Sequence, residues 1–323
     1  MSENRGRMVL ISVDGLRVRF SDRWALDGLS FCVAGGEVVG LLGPNGAGKT
    51  TTLSVLATLQ RADAGVVIVA GHDTASATAR VRRLLGFVPQ SLSVYPTLTA
   101  WENVLFFARL YGLRGAAVHN AAARVLAVVG LEERRHDIVS TFSGGMQRRL
   151  NLACGLLHTP RVLLLDEPTV GVDPQSRERI FLAVRAQAEA GAAVVYSTHY
   201  MEEAERLCDR VVLIDHGQVV AAGTPAELVS ALGRGLRLDV TTHADLPAGW
   251  HEGIAGVSPL VQRSSAGGPG SGKRVQVMVD DLTVAPRALE RAAALAGEVL
   301  EFHIHQPDLQ DVFLKLTGHE LRD

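Results

Sequence analysis

Apolar residues in the first third of the chain follow two patterns. Those at 16–20 and 29–33 alternate with other residues, which is typical of half-buried antiparallel strands. The run at 38–42 is apolar throughout and predicts a strand buried on both faces. A turn and a helix to about Leu59 follow, and 66–69 predicts a further strand. The pattern therefore indicates an α/β core beside an antiparallel sheet.

The strand pattern disappears between Leu98 and His158. Thr99 and Glu102 have the spacing of a capping box, in which a hydroxyl caps a helix and a glutamate three residues later reaches back. Alanine- and leucine-rich sequence continues to about Gly130, so we interpret this region as a helical insert. Short apolar runs typical of buried parallel strands then return, at 162–165, 193–197 and 211–214.

The character of the chain changes after Gly233. Thr224 to Glu227 form a second capping-box pattern with proline at the first helical position, and we expect this helix to end the first domain. Residues 264–272, rich in Gly and Ser, predict a flexible loop or linker. The other elements predicted beyond Gly233 are strands at 236–240, 275–279 and 299–304 and helices at 286–296 and 307–317. We therefore predict a first domain at 8–232 and a small α+β domain at 233–323.

Composition restricts the class of protein. The chain has 323 residues, 47% of them hydrophobic, with 32 basic against 34 acidic residues, and this balance is not that of a nucleic-acid-binding protein. Its three cysteines form no C-x-x-C pair, which fits reduced thiols in a cytosolic protein. Its apolar runs are far shorter than the roughly 18 to 20 residues of a membrane helix. We therefore expect any role at a membrane to depend on a partner.

The most informative motif follows the apolar run at 38–42. It reads G-x-x-x-x-G-K-T, a phosphate-binding loop that leaves a strand and enters a helix. Backbone N–H groups of such a loop surround an anion, and the helix N-terminus adds positive potential. Lys49 is placed to reach the outer phosphates, and the hydroxyl of Thr50 can hold Mg²⁺. The loop residues are Gly43, Pro44, Asn45, Gly46, Ala47, Gly48, Lys49, Thr50 and Thr51. The chain is thus predicted to bind a nucleoside triphosphate.

Two further motifs narrow the choice among phosphate-loop proteins. An apolar strand ends in Asp166 and Glu167, where the first acid would steady Mg²⁺ and the second would polarise the attacking water. Upstream, Ser143, Gly144 and Gly145 open an apolar helix whose N-terminus is itself an anion site. Read alone, this second motif also fits an ordinary capped helix.

The ordered set of motifs resembles an ATP-binding cassette (ABC) subunit of a membrane transporter, over about residues 8–232. Besides the phosphate loop, the signature at Ser143–Gly145 and the acidic strand end, it includes a glutamine loop ending at Gln90. A D-loop ends at Asp173, and a switch histidine, His199, follows Ser197 and Thr198. Phe20 matches the aromatic residue that stacks on adenine, although alternation alone fits a β-core phenylalanine equally well.

The resemblance implies a phosphate-loop ABC ATPase core with an antiparallel β subdomain and a helical subdomain, followed here by a small C-terminal α+β domain. It implies that two copies pair head to tail, with each ATP between the phosphate loop of one and Ser143–Gly145 of the other. Gln90 would contact Mg²⁺ and the water, and His199 would bond the γ-phosphate. Thr50, Gln90 and Asp166 are the implied metal-site residues, and Glu167, His199 and Gln90 the implied catalytic ones.

Details of the signature indicate a branch of the family. It usually reads Leu-Ser-Gly-Gly-Gln, and this chain departs from that pattern with Phe142 at the first position and Met146 at the last. Phe142–Leu150 and the tail Asp308–Gly318 resemble daunorubicin-resistance-type drug and lipid exporters, although polysaccharide and antibiotic exporters carry similar tails. The expected protein is an ATPase at the cytoplasmic face of the membrane, held there by a separate integral permease and acting as a homodimer. An importer ATPase is an alternative.

A soluble ABC ATPase that acts on ribosomes or DNA is a further alternative. Such proteins usually carry two fused cassettes or long coiled-coil inserts, and this sequence has one cassette, no sustained heptads and no basic tail. His303 and His305 have a spacing that could suit a metal, but we favour a solvated strand face for them.

Overall fold

The computed structural model describes residues 7–233, 235–261 and 273–318. They divide into two compact units, the first reaching Thr224 and the second beginning at Pro225. The linker predicted at 264–272 lies outside the described residues. In the described part of the chain, no helix combines the length and the apolar character that crossing a membrane requires.

The first unit contains an antiparallel sheet and a mixed sheet. The strands of the antiparallel sheet are β1 (Val9–Phe20), β2 (Arg23–Ala34), β4 (Ala64–Val69) and β5 (His72–Asp73). Their order is β2-β1-β4-β5. The strands of the mixed sheet are β3 (Val38–Leu42), β6 (Leu85–Val88), β7 (Val162–Asp166), β8 (Ala193–Thr198), β9 (Arg210–Asp215) and β10 (Gln218–Gly223). Their order is β10-β9-β3-β8-β7-β6.

All neighbours in the mixed sheet are parallel except β9 and β10. The run predicted at 38–42 is fully buried as β3, as its unbroken apolar character requires. Because the carboxyl ends of parallel strands lie at one edge, the loops that follow β3, β6, β7 and β8 meet there. This topology brings the predicted motifs together.

The helices of the first unit include the predicted helical insert. They are α1 (Lys49–Leu56), α2 (Thr78–Leu84), α3 (Ala100–Leu110), α4 (Ala116–Val128), α5 (Gly144–Gly155), α6 (Pro174–Glu189) and α7 (Met201–Leu207). The capping box of α3 is present: the Glu102 N–H donates to Thr99 Oγ1 at 3.1 Å, and the Thr99 N–H donates to Glu102 Oε2 at 2.8 Å. Helix α1 stops before the predicted Leu59 because Thr58 has a φ of 61°, which ends the helical path.

The second unit is an antiparallel sheet with helices. Its elements are α8 (Pro225–Ser230), β11 (Leu236–Thr242), β12 (Val257–Val261), β13 (Lys273–Val279), α9 (Ala285–Ala296), β14 (Val299–His305) and α10 (Leu309–Thr317). The strand order is β12-β13-β11-β14. The sequence pattern makes α8 the end of the first domain, but in the structure it packs against α10 and belongs to the second unit.

Acidic side chains lie close to the two histidines of β14. His303 Nε2 is 2.8 Å from Glu301 Oε1, and His305 Nε2 is 3.6 Å from Asp239 Oδ2. Glu301 is two residues before His303 in the same strand, whereas Asp239 comes from the neighbouring strand β11 and only the fold brings it close. Even so, the described residues contain no group of three or more His, Cys, Asp or Glu side chains arranged to hold a metal ion.

Candidate functional site

The phosphate loop is shaped for a ligand with oxygen atoms. Lys49 is buried, and its Nζ donates to the carbonyl oxygens of Gly43 at 2.8 Å and Pro44 at 3.2 Å. Burial lowers the pKa of Lys49, and the charge of Glu167 opposes that shift. Gly43 is required by close packing, because a Cβ there would lie 2.1 Å from the Ile214 carbonyl oxygen. Gly48 has a φ of 108°, which side-chain-bearing residues rarely adopt.

Side chains from three other segments of the chain contact the carboxylate of Glu167. Lys49 Nζ lies 3.3 Å from its Oε1, and His199 Nδ1 lies 3.1 Å from the same oxygen. The Gln90 side-chain amide donates to Oε2 at 3.2 Å. Four segments that are far apart in sequence therefore converge on one carboxylate that is only 6% exposed. Such convergence of charged and polar groups at low exposure is characteristic of a catalytic site.

The backbone of Glu167 is held in an unusual conformation. Its φ is 45°, in the left-handed region that a glutamate seldom occupies. Its N–H donates to the Ser197 carbonyl oxygen at 3.2 Å and to Ser197 Oγ at 3.1 Å, so the neighbouring strand β8 holds it there. Backbone strain of this kind is concentrated at functional sites, where the surrounding structure sustains it.

Asp166 and Thr50 lie side by side, each with a side-chain oxygen that could bind a metal ion. Ser197 Oγ donates to Asp166 Oδ1 at 2.7 Å, and Thr50 Oγ1 donates to the same oxygen at 3.3 Å. Burial raises the pKa of Asp166, while the hydrogen bonds from Ser197 and Thr50 act in the opposite direction. Sequence reasoning missed Ser197, which organises both acids, since a serine in a buried strand carries no signal of its own.

Phe20 lies in an open pocket next to the phosphate loop. It is 53% exposed, so it is not the β-core residue that alternation allows, whereas Leu16 and Val18 of the same strand are buried. The pocket has a volume of about 340 Å³. Its lining residues are Phe20, Arg23, Trp24, Ala25, Gly46, Thr51 and His216. Aromatic rings beside a phosphate site suit a stacked base.

Trp24 gives the pocket a second aromatic side chain, which the sequence did not single out. The guanidinium carbons of Arg17 and Arg19 lie 5.9 and 5.7 Å from the centre of its ring. These cation–π contacts hold a ring that is otherwise exposed on a hairpin. His216 reaches the pocket from the turn after β9, and only the fold makes that proximity visible.

The signature and the D-loop form a second group of residues. Ser143 caps α5 by accepting from the Met146 N–H at 3.3 Å, and Asp173 caps α6 by accepting from the Ser176 N–H at 2.9 Å. A Cβ on Gly145 would lie 2.4 Å from Ser176 Oγ, so the two helix starts are in close contact. In residues 7–233, no hydrogen bond or ion pair connects Ser143–Gly145 to the phosphate loop.

The structure therefore brings together some of the predicted site residues and separates others. The phosphate loop, Gln90, Asp166, Glu167 and His199 form one constellation, and Phe20 lies in the pocket that Gly46 and Thr51 also line. Ser143, Gly144, Gly145 and Asp173 are grouped elsewhere in the same chain. Sequence reasoning also missed Arg148, whose guanidinium donates to the Gln90 carbonyl oxygen and so links α5 to the glutamine loop.

The chain is similar to known proteins of one family. A family described as ABC transporter matches residues 26–170. The linearmycin resistance ATP-binding protein LnrL of Bacillus subtilis is 38% identical, with 97% of this chain and 100% of that protein covered. The daunorubicin/doxorubicin resistance ATP-binding protein DrrA of Streptomyces peucetius is 40% identical, with 97% and 94% covered.

A Nod factor export ATP-binding protein I of Ralstonia nicotianae is 39% identical over 98% of this chain and 97% of its own length. Among solved structures, the ATP binding subunit of an ABC transporter matches with a TM-score of 0.63 and 31% identity, covering 69% of this chain and 93% of that one. A dimeric post-hydrolysis cassette, MJ0796 bound to ADP and Pi, matches with a TM-score of 0.60 and 26% identity, covering 66% and 98%. With near-complete coverage of relatives at this identity, the chain belongs to the ABC family as an ATP-binding ATPase subunit.

Proposed function

We propose that this chain is the ATP-hydrolysing subunit of an ABC exporter for drugs or lipids, and that it drives a separate membrane permease as a homodimer around two ATP. The convergence of Lys49, Gln90 and His199 on the Glu167 carboxylate carries the enzymatic part of the proposal. The resistance and export proteins among the relatives support the exporter part, since LnrL is named for linearmycin resistance, DrrA for daunorubicin/doxorubicin resistance and a third relative for Nod factor export.

Hydrolysis follows from the positions of these side chains. In the structure Lys49 Nζ donates to two loop carbonyls and pairs with Glu167, and phosphate oxygens are the stronger acceptors that replace these contacts. Glu167 is then free to accept a proton from the water that attacks the γ-phosphorus. The bond from that phosphorus to the bridging oxygen breaks, giving ADP and phosphate. His199 holds the departing phosphate by a hydrogen bond.

Thr50, Asp166 and Gln90 fit a magnesium ion. Thr50 Oγ1 and Asp166 Oδ1 are 3.3 Å apart, and together with the Gln90 amide oxygen they are the hard oxygen donors that Mg²⁺ prefers beside phosphate groups. A bound Mg²⁺ would neutralise charge on the β- and γ-phosphates. Asp166 must be ionised to bind the ion; burial raises its pKa, and the hydrogen bonds from Ser197 and Thr50 oppose that shift and favour the ionised form.

The second half of each ATP site would come from another copy of the chain. The N-terminus of α5, opened by Ser143, Gly144 and Gly145, presents backbone N–H groups and positive potential suited to a γ-phosphate. The same chain makes no bond from this segment to its own phosphate loop, as noted for residues 7–233. The dimeric ADP-bound cassette among the structural relatives supports the pairing. Asp173, at the start of α6, would lie at this interface.

The partner at the membrane would contact the helical insert near Gln90. Tyr95 and Phe106 lie here with rings 5.1 Å apart, and both are among the exposed large side chains of the first unit. An exposed aromatic cluster next to a catalytic loop suits an apolar partner segment. We place the chain at the cytoplasmic face of the membrane, with 8–232 as the ATPase domain and 233–323 as an accessory domain.

The catalytic assignment is tested with the Glu167→Gln variant, which keeps the shape of the side chain but removes its negative charge. We expect ATP to bind and turnover to fall at least about a hundredfold, because the attacking water loses its proton acceptor. Phosphate release and nucleotide binding are measured on the same preparation, with Glu202→Gln, the same change at an exposed position of α7, as the control. Near-normal hydrolysis by Glu167→Gln would remove Glu167 from this role.

The transport assignment is tested by capturing tagged Glu167→Gln chain from native membranes in mild detergent with ATP present. We expect a multispanning permease to co-purify at near-equal stoichiometry. Recovery of ribosomal or DNA-bound partners without a permease would contradict the transport assignment and favour a soluble ABC ATPase, while the ATP-site assignment would stand. Recovery of a permease with a solute-binding protein would favour an importer.

A further inference from the structure

Glu203 of α7 is a buried carboxylate outside the constellation at Glu167. It is 1% exposed, and its Oε2 accepts hydrogen bonds from three hydroxyl groups. Tyr196 and Thr169 each donate at 2.8 Å, and Thr198 donates at 3.1 Å. A carboxylate without partners in the interior is strongly destabilising, so the three converging donors are what allows Glu203 to be buried.

The three hydroxyl groups depend on this carboxylate. Tyr196 Oη and Thr169 Oγ1 are 3.0 Å apart, but each carries a single proton, and both protons are directed to Glu203 when the carboxylate accepts them. Neutralising the Glu203 carboxylate would therefore leave the three buried hydroxyl groups with a weaker shared acceptor. Burial and the adjacent Glu203 raise the pKa of Tyr196, so this phenol remains a donor.

The second carboxylate oxygen faces α6. Arg177 Nε is 3.2 Å from Glu203 Oε1, within ion-pair distance, but the two atoms are not aligned for a hydrogen bond. The guanidinium carbon of Arg177 also lies 5.9 Å from the ring centre of Tyr200. The contact is therefore mainly one of charge, and it connects α7 to the helix that Asp173 caps.

Two of the hydroxyl residues lie next to the reacting side chains, Thr169 in the loop after β7 and Thr198 at the end of β8. Thr169 is two residues after Glu167, and Thr198 immediately precedes His199. Thr198 Oγ1 also accepts from the Tyr200 N–H at 3.0 Å, which fixes the turn around the histidine. Glu203 thus connects the loop after β7 to the end of β8, next to the place where His199 Nδ1 and Glu167 Oε1 are 3.1 Å apart.

We propose that Glu203 is a positioning residue for ATP hydrolysis, which sets the relative placement of Glu167 and His199 by holding Thr169 and Thr198 on one carboxylate oxygen. This inference rests on the proposed function. Within the residues that the structure describes, Glu203 makes no hydrogen bond or ion pair with Glu167, His199 or the phosphate loop, so it acts through the two threonines. Misplacing a reacting group by about 1 Å can lower the rate a hundredfold. Loss of the contacts between Glu203 and the two threonines should therefore lower turnover more than nucleotide affinity.

The test compares Glu203→Gln with Glu202→Gln, which makes the same change at the exposed neighbouring position of the same helix. We expect Glu203→Gln to lower kcat about tenfold or more while the KM for ATP stays close to the wild-type value. Glu202→Gln should retain both. A merely structural role would lower the melting temperature without changing kcat well below that temperature, and this result would overturn the proposal.

A second variant covers the case in which Glu203→Gln does not fold. Thr169→Val removes one hydroxyl at nearly constant volume and should also lower kcat with little change in KM. If both single variants fold, the double variant should lose less than the product of the two single losses, because both act on one network. A wild-type kcat for Thr169→Val, or independent losses of kcat in the double variant, would contradict the positioning role of Glu203. Absence of ATPase activity in the wild-type chain would instead contradict the proposed function.

Discussion

At the scale of single residues, Lys49 is a side chain whose contacts must change when ATP binds. It is buried, it donates to two carbonyl oxygens, and it pairs with Glu167. These contacts keep the ammonium group in place without a ligand and direct it along the phosphate loop. Because its pKa is lowered by burial, a negatively charged ligand that enters the loop favours the charged form again. Nucleotide binding and the charge of Lys49 therefore support each other.

We predict that Lys49→Ala loses affinity for ATP by about ten- to a hundredfold, since hydrogen bonds to charged groups contribute about 1.5–3 kcal/mol. The reason is the missing donor to the outer phosphates. Affinity is measured by equilibrium titration with a fluorescent ATP analogue. Lys315→Ala, an equal charge change in the second unit, is the control and should bind as the wild type does. Unchanged affinity in Lys49→Ala would contradict the assignment of the loop.

Residue-level prediction from sequence succeeds where the chemistry is local. The phosphate loop is one continuous segment, so its letters alone place Lys49 and Thr50. Whether Phe20 is a β-core residue or stacks on adenine could be decided only from its exposure in the structure, because both alternatives give the same alternating pattern. The role of Glu203 could not be found at all, since its donors Thr169 and Thr198 come from the loop after β7 and the end of β8 and look like ordinary hydroxyl residues in the sequence.

At the scale of elements, the start of α5 and the start of α6 are packed against each other. Gly145 lies where any side chain would overlap the cap of α6: an added Cβ would be 2.4 Å from Ser176 Oγ and 2.6 Å from Asp173 Oδ2. At Gly144 the nearest atom would be the Gly171 carbonyl oxygen at 4.0 Å. The two signature glycines thus differ, the second being needed for packing as well as for its backbone N–H.

We predict that Gly145→Ala lowers the free energy of unfolding by about 1–3 kcal/mol, because it crowds the site and disturbs the cap of α6. Gly144→Ala should stay within about 0.5 kcal/mol of the wild type. Urea unfolding of the two variants side by side measures the difference. Removing the opposing hydroxyl, as in Gly145→Ala with Ser176→Ala, should restore part of the loss. Equal stability of the two single variants would show that the signature tolerates a side chain at Gly145.

The elements themselves were predictable to different degrees. Buried β3 and the capping box of α3 follow from local sequence, and both are as expected. The order of strands in the mixed sheet does not follow from periodicity, because parallel neighbours are chosen by packing between distant segments. This order decides that the loops after β7 and β8 are adjacent, so the detailed site depends on information that no single segment carries.

At the scale of the whole molecule, the two compact units differ from the predicted domains at one helix. Sequence pattern ends the first domain at 232, and the limits 8–232 and 233–323 remain a prediction for function. In the structure α8 packs on α10, and Lys315 Nζ donates to the Leu232 carbonyl oxygen at 3.3 Å. Leu228 of α8 is buried. A chain cut after 232 would keep α8 but remove what it packs against.

We predict that a chain ending at 224 folds and binds ATP with an affinity close to that of the full chain, since the phosphate loop and the pocket at Phe20 lie in the first unit. A chain ending at 232 should bind ATP but aggregate more readily, because it exposes the apolar face of α8 around Leu228. Light scattering and nucleotide titration of both chains measure these differences.

With the Glu167→Gln change in both chains, the chain ending at 224 should form fewer ATP-dependent dimers than the full chain if the second unit stabilises the dimer. Size-exclusion chromatography with and without ATP separates this effect from nucleotide binding, which both chains should retain. Equal dimer fractions would assign the second unit to coupling with the permease rather than to pairing of the ATPase subunits. Loss of ATP binding from a folded chain ending at 224 would show that the nucleotide site extends into the second unit, and the domain boundary would have to be redrawn.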